Sequence, residues 1–259
     1  MRISLTPFAA RLAAFALMSV PVLAQWDPLK TPNVPRLPNG KVDMNAAAPK
    51  TKEGKPDLSG IWQPNGIKYL INIAADLKAT DVPMQPWAAD LYKERVATFG
   101  KDDPDAKCLP SSMPRKDAIS SPYKLIQLPD EVVFLYESRT TFRQVFLDGR
   151  PIPKDAQPAW DGYSVGHWDG DTLVVETSGF NDLSWLDSNG HPHTDALHLT
   201  ERFHRKDFGH LEIQITVDDS KAYTKPWTVT EVVNYLPDSE LIEYICNENE
   251  KDLVHLVGK

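Results

Sequence analysis

The sequence is short of cysteine, with two in 259 residues. That excludes a small scaffold knit by several disulfides and a multi-cysteine zinc module. It is also short of long apolar runs. Leu12–Val20 is too brief to span a bilayer, and no later run reaches spanning length. Basic residues are the minority, 28 Lys and Arg against 36 Asp and Glu, for a formal charge of −8. No Lys/Arg cluster interleaved with aromatics is present, so nucleic acid is not an expected partner. The phosphate-loop spacing Gly-x-x-x-x-Gly-Lys-Ser/Thr is missing, and no organic cofactor is expected. Asp102-Asp103-Pro104-Asp105 lacks the Asp-x-Asp-x-Asp-Gly spacing of a calcium loop.

Arg2 and Arg11 precede and border the apolar run, which is followed by Val22-Leu23-Ala24. A basic start, a short apolar stretch and small residues are the marks of a secretory leader cleaved near Ala24. The expected location is therefore periplasmic or secreted. In an oxidising compartment, Cys108 and Cys246 are expected to pair. Closing so long a loop is worth about 4–5 kcal/mol in the chain-entropy model.

Residues 25–56 are rich in Pro, Lys, Asn and Ala and have no period of 2 or 3.6, as in Lys30-Thr31-Pro32-Asn33-Val34-Pro35. They read as an extended, loosely held arm. Residues 57–259 read as a single β domain. Asp57–Gln63 is a first strand. One helix is expected over about 86–99, begun by Pro86, stopped by Gly100, and burying Trp87, Leu91, Val96 and Phe99. Further strands are expected at 123–128, 131–138, 141–147, 162–168, 171–177, 196–205, 210–217, 228–236 and 240–247, joined by turns such as Trp168-Asp169-Gly170-Asp171. The fold class that follows is mainly β, an antiparallel barrel with one inserted helix. A barrel of this strand number holds side chains or one small ligand.

Strand alternation sorts the side chains. Leu197, Leu199, Glu201 and Phe203 share one face, so Glu201 is a carboxylate pointing inward. Leu241, Glu243 and Ile245 repeat that pattern. Arg143 shares a face with Val145 and Leu147. Buried ions need partners, so Arg143, Glu201 and Glu243 are candidates for a polar cluster, either a structural ion pair or a functional one. Asn189–His204 carries four of the seven histidines. His198 and His204 fall on the outer strand face. His191, His193 and Asp195 remain as a rim group. It offers a general acid or base with an orienting carboxylate, or, as a weaker alternative, a metal site. The aromatics and glycines of Trp160-Asp161-Gly162-Tyr163-Ser164-Val165-Gly166-His167-Trp168 allow a ligand to approach closely or simply pack.

Gly60-Ile61-Trp62 on the first strand resembles the Gly-x-Trp of lipocalins and the wider calycin group, in which the Trp closes one barrel end beneath an Arg from a late strand. That resemblance implies the same place for Arg202 or Arg205. The helical insert departs from a simple lipocalin. The block running from Phe142-Arg143-Gln144 through Gly162–Gly166, Gly170-Asp171-Thr172-Leu173-Val174-Val175-Glu176-Thr177, Thr200-Glu201-Arg202-Phe203, Tyr223-Thr224-Lys225-Pro226-Trp227 and Cys246-Asn247-Glu248-Asn249 is similar to a large set of secreted bacterial proteins of unknown function. It implies an exported lipocalin-like, calycin-type barrel and brings no catalytic residue with it.

Two functions are expected from this reading. One is binding of a small apolar or amphipathic organic molecule, with Phe142, Tyr163, Trp168 and Phe203 as lining and Arg143, Glu201, Glu243 and His193 as polar anchors. The other is a lyase, isomerase or hydratase on the same barrel, using His193 or His191 with Asp195, Glu201 and Arg143 and no organic cofactor. The sequence gives no oligomeric state.

Overall fold

A computed structural model describes residues 29–248 of the chain. The expected leader and the last eleven residues lie outside that range. Nine strands close into one barrel: β1 (Gly60–Pro64), β2 (Tyr123–Gln127), β3 (Glu131–Tyr136), β4 (Thr141–Phe146), β5 (Tyr163–Asp169), β6 (Thr172–Ser178), β7 (His198–Arg205), β8 (His210–Asp218) and β9 (Trp227–Tyr235). Neighbours in sequence are neighbours in the wall, and β9 returns to pair with β1.

The expectation of a purely antiparallel wall is corrected. β4 and β5 run parallel, with Val145 opposite Ser164 and Phe146 opposite Val165. Geometry demands such a pair. Nine strands that strictly alternate direction cannot close a ring with every neighbour antiparallel, so one parallel seam is needed. The connection between Phe146 and Tyr163 supplies it: the chain turns at Asp148-Gly149 and then crosses to enter β5 from the same end as β4.

The barrel interior is packed. Trp62, Tyr123, Leu125, Phe134, Leu173, Phe203 and Leu211 are all buried against each other, as alternation on twisted strands requires. Residues 240–247 form no strand. Leu241, Glu243 and Ile245 alternate correctly, but the ring is already closed by the pairing of β9 with β1, and the segment joins neither. The segment runs outside the barrel instead, and Glu243 is exposed there. It is tethered by the bond between Cys108 and Cys246, whose Cα atoms lie 5.6 Å apart.

Two helices lie between β1 and β2: α1 (Lys68–Ile71) and α2 (Pro86–Ala97). The expected buried stripe of α2 is corrected. Phe99 is 97 % exposed, Trp87 and Val96 are exposed as well, and Ala88 is the buried residue. Small Ala88 lets the helix lie close to the barrel, while Tyr92 and Arg95 reach over it and Trp87 donates its indole N–H to the Lys221 carbonyl. The N-terminal arm is held more firmly than its composition implies. Arg36 pairs with Asp238, and the Phe208 and Gly209 N–H groups donate to the Ala46 and Met44 carbonyls. Among the described residues no helix is long and apolar enough to cross a membrane.

Candidate functional site

One end of the barrel is sealed. Trp62 is fully buried and donates from Nε1 to the Leu58 carbonyl at 2.9 Å. The guanidinium of Arg205 lies 4.8 Å from the Trp62 ring centre and also faces Phe208 and Tyr235. It donates to the backbone carbonyls of Asp57, Asp207 and Phe208. Arg205 therefore takes the capping place, and Arg202 stands on the outer wall beside Asp169. Gly60 belongs to the same seal. Its φ is +129°, and a Cβ there would run into the Tyr235 ring, so glycine is required.

The middle of the barrel is polar. Arg143 on β4 and Glu201 on β7 form a fully buried ion pair, Nη1 lying 3.2 Å from Oε1 and Nη2 meeting Oε2. Arg143 also donates from Nε to Ser164 Oγ at 3.0 Å and from Nη2 to Thr177 Oγ1 at 2.8 Å. Phe134 lies beneath the guanidinium. The carboxylates around it push the Arg143 pKa further up, against the opposing effect of its burial. The run Gly162-Tyr163-Ser164-Val165-Gly166 has Gly-x-Ser-x-Gly spacing, but it lies inside β5 and not at a strand-to-helix turn. Its serine is a buried partner of Arg143 and Thr177 and not a raised nucleophile.

Above this pair the chain inserts a plug, the short 3₁₀ turn Arg115–Ala118, whose four residues are all buried. Arg115 anchors it through two bonds to Asp103 at 2.7–2.8 Å and one to Ser188. Lys116 reaches Asp161 at 2.5 Å. Asp117 points into the barrel, where its Oδ1 accepts from Tyr136 at 2.7 Å. Glu231 faces in from β9, flanked on its face by Val229 and Val233.

Among the described residues, four buried oxygens in this region lack a partner: Asp117 Oδ2, Tyr123 Oη, Asp161 Oδ1 and Glu231 Oε1. Four carboxyl groups (Asp117, Asp161, Glu201, Glu231) share two cations, Lys116 and Arg143. The excess is met by protons. Burial, then repulsion from Asp117 and Glu201, raises Glu231 to about 8. Burial, then the charge of Glu201, raises Asp117 to about 7. Burial also pushes the Tyr123 phenol well up.

Glu231 borders a cleft that opens to the outside. β1 pairs with β9 only at Val233–Tyr235, so the stretch Trp227–Val232 has no strand beside it on that flank. Residues 64–69 cover the gap incompletely. They leave a cleft of about 240 Å³ lined by Pro64, Asn65, Lys68, Tyr69, Ala118 and Glu231. Sequence reasoning did not single out Glu231, although it obeys the same alternation as Glu201. Asp117 sits in an aperiodic stretch that carries no signal of its burial.

The residues expected at the site are dispersed. Phe203 is buried in the core and Trp168 is half-buried at the sealed end. Phe142 is exposed on the outer wall, a correction that follows from its alternation with the inward Arg143. Tyr163 lies on that same outer surface against Phe146 and Arg150. His191, His193 and Asp195 do not converge. His191 Nδ1 is 2.5 Å from Asp187, and His193 Nε2 is 2.8 Å from Ser184. Burial pulls the His193 pKa down. Asp195 is exposed and bound to Lys221. His198 meets Ser178 and His204 is exposed. Among the described residues no group of three or more His, Cys, Asp or Glu side chains is placed to hold a metal.

No protein-family model matches the chain, and no curated protein matches it. Among solved structures, the crystal structure of a mutant of the fluorescent protein UnaG aligns with 71 % of this chain and 97 % of its own, at 15 % identity and a TM-score of 0.32. No residue role is carried across at that level of likeness.

Proposed function

We propose that this is an exported, lipocalin-like barrel that binds a small amphipathic organic molecule in the cleft between β1 and β9, its polar end over Glu231. The observation that carries the reading is an open cleft bordered by Glu231, whose Oε1 is buried and unpartnered. A buried polar atom without a partner costs about 1–3 kcal/mol, and a ligand that pairs with it recovers much of that cost. Pro64, Tyr69 and Ala118 supply apolar contact, and Asn65 and Lys68 supply polar contact at the mouth. A protonated Glu231 donates a hydrogen bond, so an uncharged or anionic oxygen is the group it suits. Export is supported by the leader-like start and by the single disulfide.

Native mass spectrometry of the protein purified from the periplasm tests this. A co-purified organic mass is expected on the wild-type protein and absent from Glu231→Leu. The same mass on both, or on neither, overturns the assignment of this cleft.

One observation favours a second reading, acid/base chemistry of the lyase, isomerase or hydratase kind. Asp117 and Glu231 titrate near neutrality, where a general acid and base work best. On that reading Glu231→Gln keeps the ligand and loses turnover.

A further inference from the structure

A second cleft, of about 170 Å³, opens between residues 72–84 and helix α2. Ala74, Leu77, Val82 and Met84 give it apolar walls, and Asn72 and Lys78 add polar groups to the lining. Its floor is the imidazole of His191 beside the Tyr92 ring. His191 is 2 % exposed. Its ring is clamped, with Tyr92 at 4.1 Å on one side and Trp227 at 6.0 Å.

The tautomer of that ring is set by its neighbour. Asp187 is fully buried and accepts backbone N–H bonds from Ile73 at 2.9 Å, Gly190 at 2.8 Å and His191 at 3.1 Å. Its Oδ2 also lies 2.5 Å from His191 Nδ1. A carboxylate so surrounded is an acceptor and demands that Nδ1 carry the proton. In the neutral ring Nε2 is then left with a lone pair, and among the described residues nothing hydrogen-bonds to it. An orienting Asp and a rigidly held imidazole whose Nε2 has no partner among the described residues form a preorganised acceptor bordering the cleft.

Size narrows the ligand. An apolar cavity of about 150 Å³ holds a benzene ring. We propose that this cleft is a second site, separate from that over Glu231, for a small hydroxylated aromatic molecule of the phenol class, whose O–H donates to His191 Nε2. The ring fills the apolar walls, and Met84 offers a thioether contact to its edge. Asp187 is a positioning residue that acts through the imidazole.

Phenol and toluene are the probes, titrated into ¹⁵N-histidine-labelled full-length protein. They match closely in shape and differ in the donor. Phenol is expected to saturate, to move the His191 Nε2 resonance, and to bind about tenfold or more tightly than toluene, because a site with a polar group rejects the analogue that leaves it unpaired. Leu77→Trp, which fills the cleft from its half-buried wall, is expected to abolish the response, while Glu231→Gln leaves it unchanged. Equal affinities for phenol and toluene, a phenol response that spares His191, or no saturable binding overturns the site. Loss of phenol binding in Glu231→Gln overturns its independence from the first cleft. None of these outcomes depends on a His191 or Asp187 variant folding.

Discussion

Glu201 and Glu231 stand inward from β7 and β9 with β8 between them, one facing Ile215 and the other Ile213 in the register. Both are buried, yet their surroundings differ. Glu201 meets a guanidinium that is itself held by Ser164, Thr177 and Phe134. Among the described residues Glu231 makes no ion pair and keeps an unpaired oxygen, and it borders a gap in the wall. The first is a closed polar network of the kind that fixes a barrel interior. The second is an open one, and an open network is where a ligand has something to gain. Burial of a carboxylate is thus a poor guide to function until its partners are counted.

The strongest way to break this contrast is to make the closed side open. Arg143→Met strands Glu201 without its partner and is expected to lower stability by about 3–5 kcal/mol in urea unfolding. The double variant Arg143→Met/Glu201→Leu is expected to recover most of that loss. If the single variant is no less stable than the wild type, Glu201 is not the closed partner described. Removing the open side has the opposite sign: Glu231→Leu is expected to raise stability by about 1–3 kcal/mol, since an unpaired polar group gives way to an apolar one. A loss of similar size would mean that Glu231 is already satisfied.

The pH dependence sharpens the same contrast. Glu231 titrates at about 8 when folded against an ordinary 4.5, and Asp117 at about 7 against 3.8. The folded chain therefore holds more protons than the unfolded chain between these values. Their contribution is intact below about pH 4 and is lost as pH rises toward 8. Stability measured by denaturant is expected to fall across that window, and to fall less in Glu231→Gln. An equal decline in both proteins removes Glu231 as its source. The smallest effect belongs to the surface. Asp195→Ala breaks only the exposed pair with Lys221 and is expected to leave the unfolding midpoint where it was. A clear shift would restore Asp195 to the account.

The closed side was legible in the sequence. β4 and β7 alternate cleanly, so Arg143 and Glu201 identify themselves as charges on apolar faces. The same rule applied to β9 places Glu231 with Val229 and Val233, so that residue is legible too. Asp117 was not. Its segment has no period, and its burial is created by the barrel end it plugs. Asp187 was hidden for the same reason: a loop carboxylate is oriented by the backbone N–H groups folded around it. Residues 240–247 and helix α2 erred in the other direction. Each carries an apolar pattern that local spacing alone reads as buried, while ring closure and a small contact residue, Ala88, settle where it lies.

The protonation of Glu231 is the point on which the contrast turns. Carboxyl ¹³C NMR on protein labelled at glutamate, with Glu231→Gln to assign the signal, measures it directly. One glutamate resonance titrating near 8, and missing from the variant, is the predicted result. A Glu231 signal that titrates in the ordinary range near 4.5 would contradict it.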